Sequence, residues 1–91
     1  YFRREMSILN KVLPKPGIKV NQILKEFSSA EINEIYPALS PILIQVLCEE
    51  LELVGYLDIE KGKASVTPKG EAKLKNFKKS LSKEEKSALG M

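Results

Sequence analysis

The run Leu51-Glu52-Leu53-Val54-Gly55-Tyr56-Leu57, with Val66-Thr67-Pro68-Lys69-Gly70-Glu71 a short way beyond it, decides how the fold is read. Upstream of the glycine, Ile44, Leu47, Cys48 and Leu51 recur at steps of three and four from Pro41, which places them on one face of a helix. Gly55 falls where that helix needs a residue tolerant of positive φ to reverse the chain. Tyr56-Leu57-Asp58-Ile59 then alternates with a period of two, as a strand does. Lys61-Gly62 supplies a turn and Ala64-Ser65-Val66 returns, so Leu57, Ile59, Ala64 and Val66 can share one apolar face of a hairpin. Thr67 is suited to accept hydrogen bonds from the free amides of a further helix. Pro68 suits its first position, where the missing N–H would be unpaired anyway, and Glu71 suits the positive end of its dipole. Leu74, Phe77 and Leu81 continue the inner stripe of that helix.

Helix, glycine, two strands, helix is an order with a known likeness. On Leu51-Glu52-x-x-Gly55-Tyr56-Leu57, the tip at Gly62 and Val66-Thr67-Pro68-Lys69-Gly70-Glu71, the chain resembles prokaryotic winged-helix regulators. Their recognition helix ends in a Leu-Glu-x-x-Gly-Tyr-Leu-like run, and their wing strand leads into Thr-Pro-x-Gly. The likeness covers roughly the last two-thirds of the chain. It implies an α+β, mostly helical fold: a winged helix-turn-helix with a small antiparallel β-hairpin wing and extra helices at both ends. The expected boundaries are one domain over residues 1–81, with an N-terminal helix over 1–13, the helix-turn-helix over 30–54, the wing over 56–67 and a C-terminal helix over 68–81. The resemblance further implies a non-enzymatic, cytoplasmic transcription regulator acting on double-stranded DNA, with dimers common among such proteins.

Size and composition agree with one small domain of 91 residues and leave little room for a multi-step enzyme. No apolar run approaches the length that crosses a bilayer, so no membrane partner is expected. The chain begins at Tyr1 without a methionine, and a trimmed start can hide an upstream signal. With no histidine, zinc sites with His ligands, Ser-His triads and imidazole acid–base chemistry are excluded, and no cofactor is expected. The single Cys48 lies inside the apolar helix pattern and reads as a small buried hydrophobe. Glu49, Glu50 and Glu52 lack a second ligand cluster and read as a solvated face rather than as a metal or acid–base site.

The earlier part of the chain is less regular. Phe2, Met6, Leu9 and Leu13, with Val12 beside them, repeat at helical spacing until Pro14 and Pro16-Gly17 end the run. That helix is expected in the core, though a dimer arm is compatible with the same pattern. Ile18-Lys19-Val20 suits a short third strand, and Ile23, Leu24 and Phe27 suggest a short helix. Ser28 or Ser29 can cap another, in which Ile32, Ile35 and Tyr36 face inward before Pro37 stops it. Pro37-Ala38-Leu39-Ser40 then forms the turn, and Ser40 caps the next helix with Pro41 at its first position. In the tail over 82–91, Ser82-x-x-Glu85 has the form of a capping box, so a short last helix and disorder both stay open.

Charge divides the chain more sharply than the net +3 suggests. Residues 1–19 carry Arg3, Arg4, Lys11, Lys15 and Lys19 against Glu5, and residues 61–91 carry nine lysines against Glu71, Glu84 and Glu85. Between them, no Lys or Arg occurs from residue 26 to residue 60. A DNA-reading helix needs Arg, Lys, Asn, Gln or Ser on its outer face, because phosphate attraction supplies most of the affinity. Here that face presents Ile42, Gln45, Val46, Glu49 and Leu53, with Glu52 nearby.

Two classes follow. In the first, DNA is held mainly by basic elements: Lys61 and Lys63 on the wing tip, Lys69 beside it and Arg3, Arg4 or Lys15 on the flank, with Gln45 reaching a base and Ser40 a phosphate. In the second, Ile42, Val46, Glu49 and Leu53 form a docking face for a protein or a second copy of the chain. The family likeness puts DNA first, while the composition of the helix face favours protein.

Overall fold

α1 (Phe2–Val12) opens the chain and leads to a two-residue strand, β1 (Ile18–Lys19). A 3-10 helix (Val20–Glu26) and a single π-helical turn (Glu31–Ile35) follow, then α2 (Pro41–Leu53), the hairpin β2 (Leu57–Glu60) and β3 (Lys63–Val66), α3 (Pro68–Ser80) and α4 (Lys83–Ala88). The computed structural model describes residues 2–91, with side chains from Arg3 onward. Tyr1 and the Phe2 side chain, which the repeat of the first helix includes, lie outside the described residues. The strands form one antiparallel sheet in the order β1-β3-β2, so the architecture is α+β and 63% helical.

α1 is the pillar of the molecule. Met6, Ile8, Leu9 and Val12 are fully buried, and the helix packs against α2, α3, β3 and the 3-10 helix. Burying four such side chains is worth roughly 6–12 kcal/mol gross, about the size of the whole net stability of a domain. That places α1 in the core, as expected. Ser7, also buried, hydrogen-bonds through its hydroxyl to the Tyr36 hydroxyl, which satisfies both groups inside the core.

The hairpin has the expected register, with Leu57 opposite Val66 and Ile59 opposite Ala64. Leu57 and Ala64 are buried on the apolar face. Lys61 (φ 52°) and Gly62 (φ 76°) both lie in the left-handed region, the signature of a type I′ turn, whose twist matches that of the strands. β1 adds on the far side of β3, with Ile18 opposite Ala64 and Lys19 opposite Lys63.

The junction between α2 and α3 holds the fold together at one point. Ser40 caps α2, its hydroxyl accepting from the Leu43 amide at 3.2 Å. At the other end the Tyr56 amide donates to the Leu51 carbonyl (2.9 Å) and the Gly55 amide to the Glu52 carbonyl (3.0 Å), with Gly55 at φ 85°. These are the two bonds of a Schellman motif, which only a residue at ease with positive φ closes cheaply. Thr67 donates its hydroxyl to the Gly55 carbonyl (2.6 Å) while accepting from the Gly70 amide (3.0 Å), so one side chain ends one helix and starts the next. A Cβ on Gly70 would lie 2.2 Å from the Tyr56 carbonyl oxygen.

Two local features depart from the sequence reading, and a third was left open by it. The expected strand at Ile18-Lys19-Val20 ends at Lys19, because Val20 begins the 3-10 helix that carries buried Ile23 towards Phe27. The expected helix over residues 30–36 is instead a turn of wider pitch, with the Tyr36 amide bonded to the Glu31 carbonyl at 2.8 Å. Its start is fixed by a reciprocal cap, in which the Glu31 amide donates to the Ser28 hydroxyl (3.1 Å) and the Ser28 amide to the Glu31 carboxylate (2.8 Å). The turn brings Tyr36 edge-on to Phe27, ring centroids 5.9 Å apart, and Leu39, read as part of a loop, is buried as well. The tail takes its helical option: Ser82 and Glu85 form the capping box, and Leu89 is buried beside Ile35, Tyr36 and Ala38.

Candidate functional site

Ile44, Leu47, Cys48 and Leu51 of α2 are buried, so the opposite side of the helix is free. At 100° per residue, Ile42, Val46 and Leu53 line up in one stripe on that side. Ile42 is 76% exposed and Leu53 87% exposed, with Val46 and Val54 about half exposed. Among the described residues these four are the exposed large hydrophobics. Glu49 and Glu52 run along one flank of the stripe with Gln45, Glu50 runs along the other, and all four are exposed. The four residues of the expected docking face, Ile42, Val46, Glu49 and Leu53, are therefore brought together on one surface of one element.

Between α2 and the hairpin tip this surface drops into an open groove of about 560 Å³. Pro41, Ile42, Gln45, Glu49 and Glu52 form its α2 wall, while Lys19, Val20, Ile59 and Lys61 stand opposite. Lys19 was not singled out in the sequence. Its signal was the alternation Ile18-in, Lys19-out of a strand whose pairing with β3 sets it beside Lys63. The backbone register also sets Lys63 opposite Glu60, so the tip bears a short basic row, Lys19, Lys61 and Lys63, interrupted by one carboxylate.

Lys69 and Ser40, also expected to contact DNA, are engaged within the chain. Lys69 donates its ammonium to the Val54 carbonyl at 2.9 Å and stands 5.6 Å from the centroid of the Tyr56 ring. It thus places a cation at the negative end of α2. The Ser40 hydroxyl is an N-cap. Gln45 is exposed and looks into the groove between carboxylates and apolar side chains.

Electrostatics mark the α2 side as acidic. Burial pushes the Glu5 carboxyl above the usual range, and the neighbouring charge of Glu50 raises it further. Cys48, on the floor of the groove but only 1% exposed, has its thiol pushed up to about 11, first by burial and then by Glu49. A thiol so protonated is a poor nucleophile. Among the described residues no group of three or more Cys, Asp or Glu is placed to hold a metal ion, and no helix is long and apolar enough to cross a membrane.

No family model matches this chain, and neither do curated proteins or solved structures.

Proposed function

We propose that the chain is a winged-helix module whose second helix docks a protein instead of reading DNA. The order of elements is consistent with the winged-helix part: a helical turn (Glu31–Ile35) leading into α2, then a β2–β3 hairpin joined by β1 in one sheet, then α3. The observation that carries the docking part is the outer face of α2, where Ile42 and Leu53 stand more than three-quarters exposed in a row bordered by Glu49, Glu50 and Glu52. A helix with that face repels phosphate, and its open apolar stripe gains free energy when another apolar surface covers it. Site-specific photo-crosslinking tests this in the cells that make the protein. A benzophenone residue at position 42 or 53 is expected to yield one discrete protein adduct, and the same residue at position 76 on α3 none. Adducts with DNA at positions 42 and 53, or none there at all, would overturn the reading.

One observation favours a second reading, in which the wing touches DNA. Lys61 occupies a left-handed turn position that Asn or Gly takes at lower cost, and it lies beside Lys63 and Lys19 at the tip. Duplex binding by this route falls steeply with salt and is abolished by the double change Lys61→Glu, Lys63→Glu. Duplex affinity that is absent at low salt, or indifferent to the double change, removes it.

A further inference from the structure

We infer that the partner is an amphipathic helix with an apolar stripe and lysine or arginine along one flank, lying lengthwise on α2 beside the groove. This inference rests on the docking reading above and names the chemistry of what docks. α2 has 13 residues, about 20 Å of length, which matches a partner helix of roughly four turns. The pattern Ile42, Val46, Glu49, Leu53 repeats at steps of four, three and four, the spacing by which one helix meets another along a seam. Glu49 and Glu52 then lie beside the partner's flank on the groove side and Glu50 beside its other edge, with no cation of α2 to answer them.

Charge decides among the occupants. A second copy of this chain paired in parallel through α2 would set Glu49, Glu50 and Glu52 against themselves, and paired antiparallel it would set them against Pro41–Gln45, a stretch that offers no cation. A phosphate backbone meets the same carboxylates. A cationic flank satisfies them. Lys19 and Lys61 on the far wall of the groove disfavour a helix that is basic all round, so the cations belong on the side turned to α2. The apolar stripe supplies the affinity, and the charges set orientation and speed of encounter.

The test uses the full chain and three synthetic helical peptides that share one leucine stripe and carry lysine, glutamine or glutamate along one flank. The lysine peptide is expected to bind and to shift the amide resonances of residues 41–54. Its affinity should drop about twofold to fivefold for each carboxylate removed in Glu49→Gln and Glu52→Gln. The same change at Glu84, in the tail helix, should leave affinity unaltered. Equal binding of the glutamine and lysine peptides on α2 overturns the cationic partner while leaving α2 as a docking face. If none of the peptides disturbs α2 while duplex DNA does, both this inference and the docking reading fall, and if raised concentration of the chain itself does so instead, the second copy is the occupant and this inference falls alone. Thermal melts of each variant confirm that the carboxylate changes leave the fold in place.

Discussion

At the scale of single residues, Gly70 shows what local sequence can and cannot disclose. The Thr-Pro-x-Gly run marks the start of a helix, and α3 begins there. Nothing in the run discloses that the Gly70 Cα faces the Tyr56 carbonyl so closely that a methyl group would sit 2.2 Å from the oxygen. That carbonyl is fixed, since it accepts from the Thr67 amide at 3.1 Å, so the backbone itself would have to yield. Gly70→Ala should therefore cost about 1–3 kcal/mol despite the better helix propensity of alanine. A drop of at least about 5 °C in melting temperature is expected for a domain of this size. An unchanged midpoint would mean that the two helices are not joined as described. Lys69 carries the same lesson: as a letter it is one more surface lysine, and only the fold sets it on the end of α2.

At the scale of elements, legibility followed periodicity. α2, α3 and the hairpin carry patterns long enough for the period to show, and each lies within a residue or two of where the pattern placed it. The 3-10 helix and the π-helical turn have too few apolar positions to distinguish three, three-point-six or more residues per turn. Their geometry is set by what they pack against, namely Phe27, Tyr36 and the Glu31 cap. Ile8 was missed because α1 is covered on several sides, and a helix so enclosed buries more than one stripe. The hairpin tip gives a test at this scale. Lys61→Asn should stabilise the chain, by a few tenths of a kcal/mol to about 1 kcal/mol, since Asn-Gly is the preferred pair for a type I′ turn. A higher urea midpoint with unchanged slope is the expected result. A lower one would mean that the lysine side chain itself supports the hairpin.

At the scale of the whole molecule, the sequence disclosed the segregation of charge but not which charges meet. Lys11 of α1 reaches Glu31 at 3.0 Å, and Lys15 reaches Glu26 at 2.6 Å, pairings that depend on the path of the chain between them. Burial raises the Glu31 carboxyl, but the Ser28 amide and the Lys11 ammonium outweigh it and hold the group below its ordinary value of 4.5. A lowered folded pKa means stability that is present above the unfolded value and lost as pH falls through the folded one. Stability should therefore decline on acidification below about pH 4.5, and Glu31→Gln should flatten that decline. Glu5 works in the opposite sense: its raised folded pKa gives a contribution present below the unfolded value and lost as pH rises, so Glu5→Gln should stabilise the chain at neutral pH. Denaturant midpoints from pH 3 to pH 7 for the three proteins read both effects.

The knot of hydrogen bonds at Gly55 has a mechanical consequence. Because Thr67 and Lys69 tie the end of α2 to the start of α3, a pull on the outer face of α2 reaches α3 without crossing the sheet. The end of α2 and the start of α3 therefore cannot part without breaking both bonds.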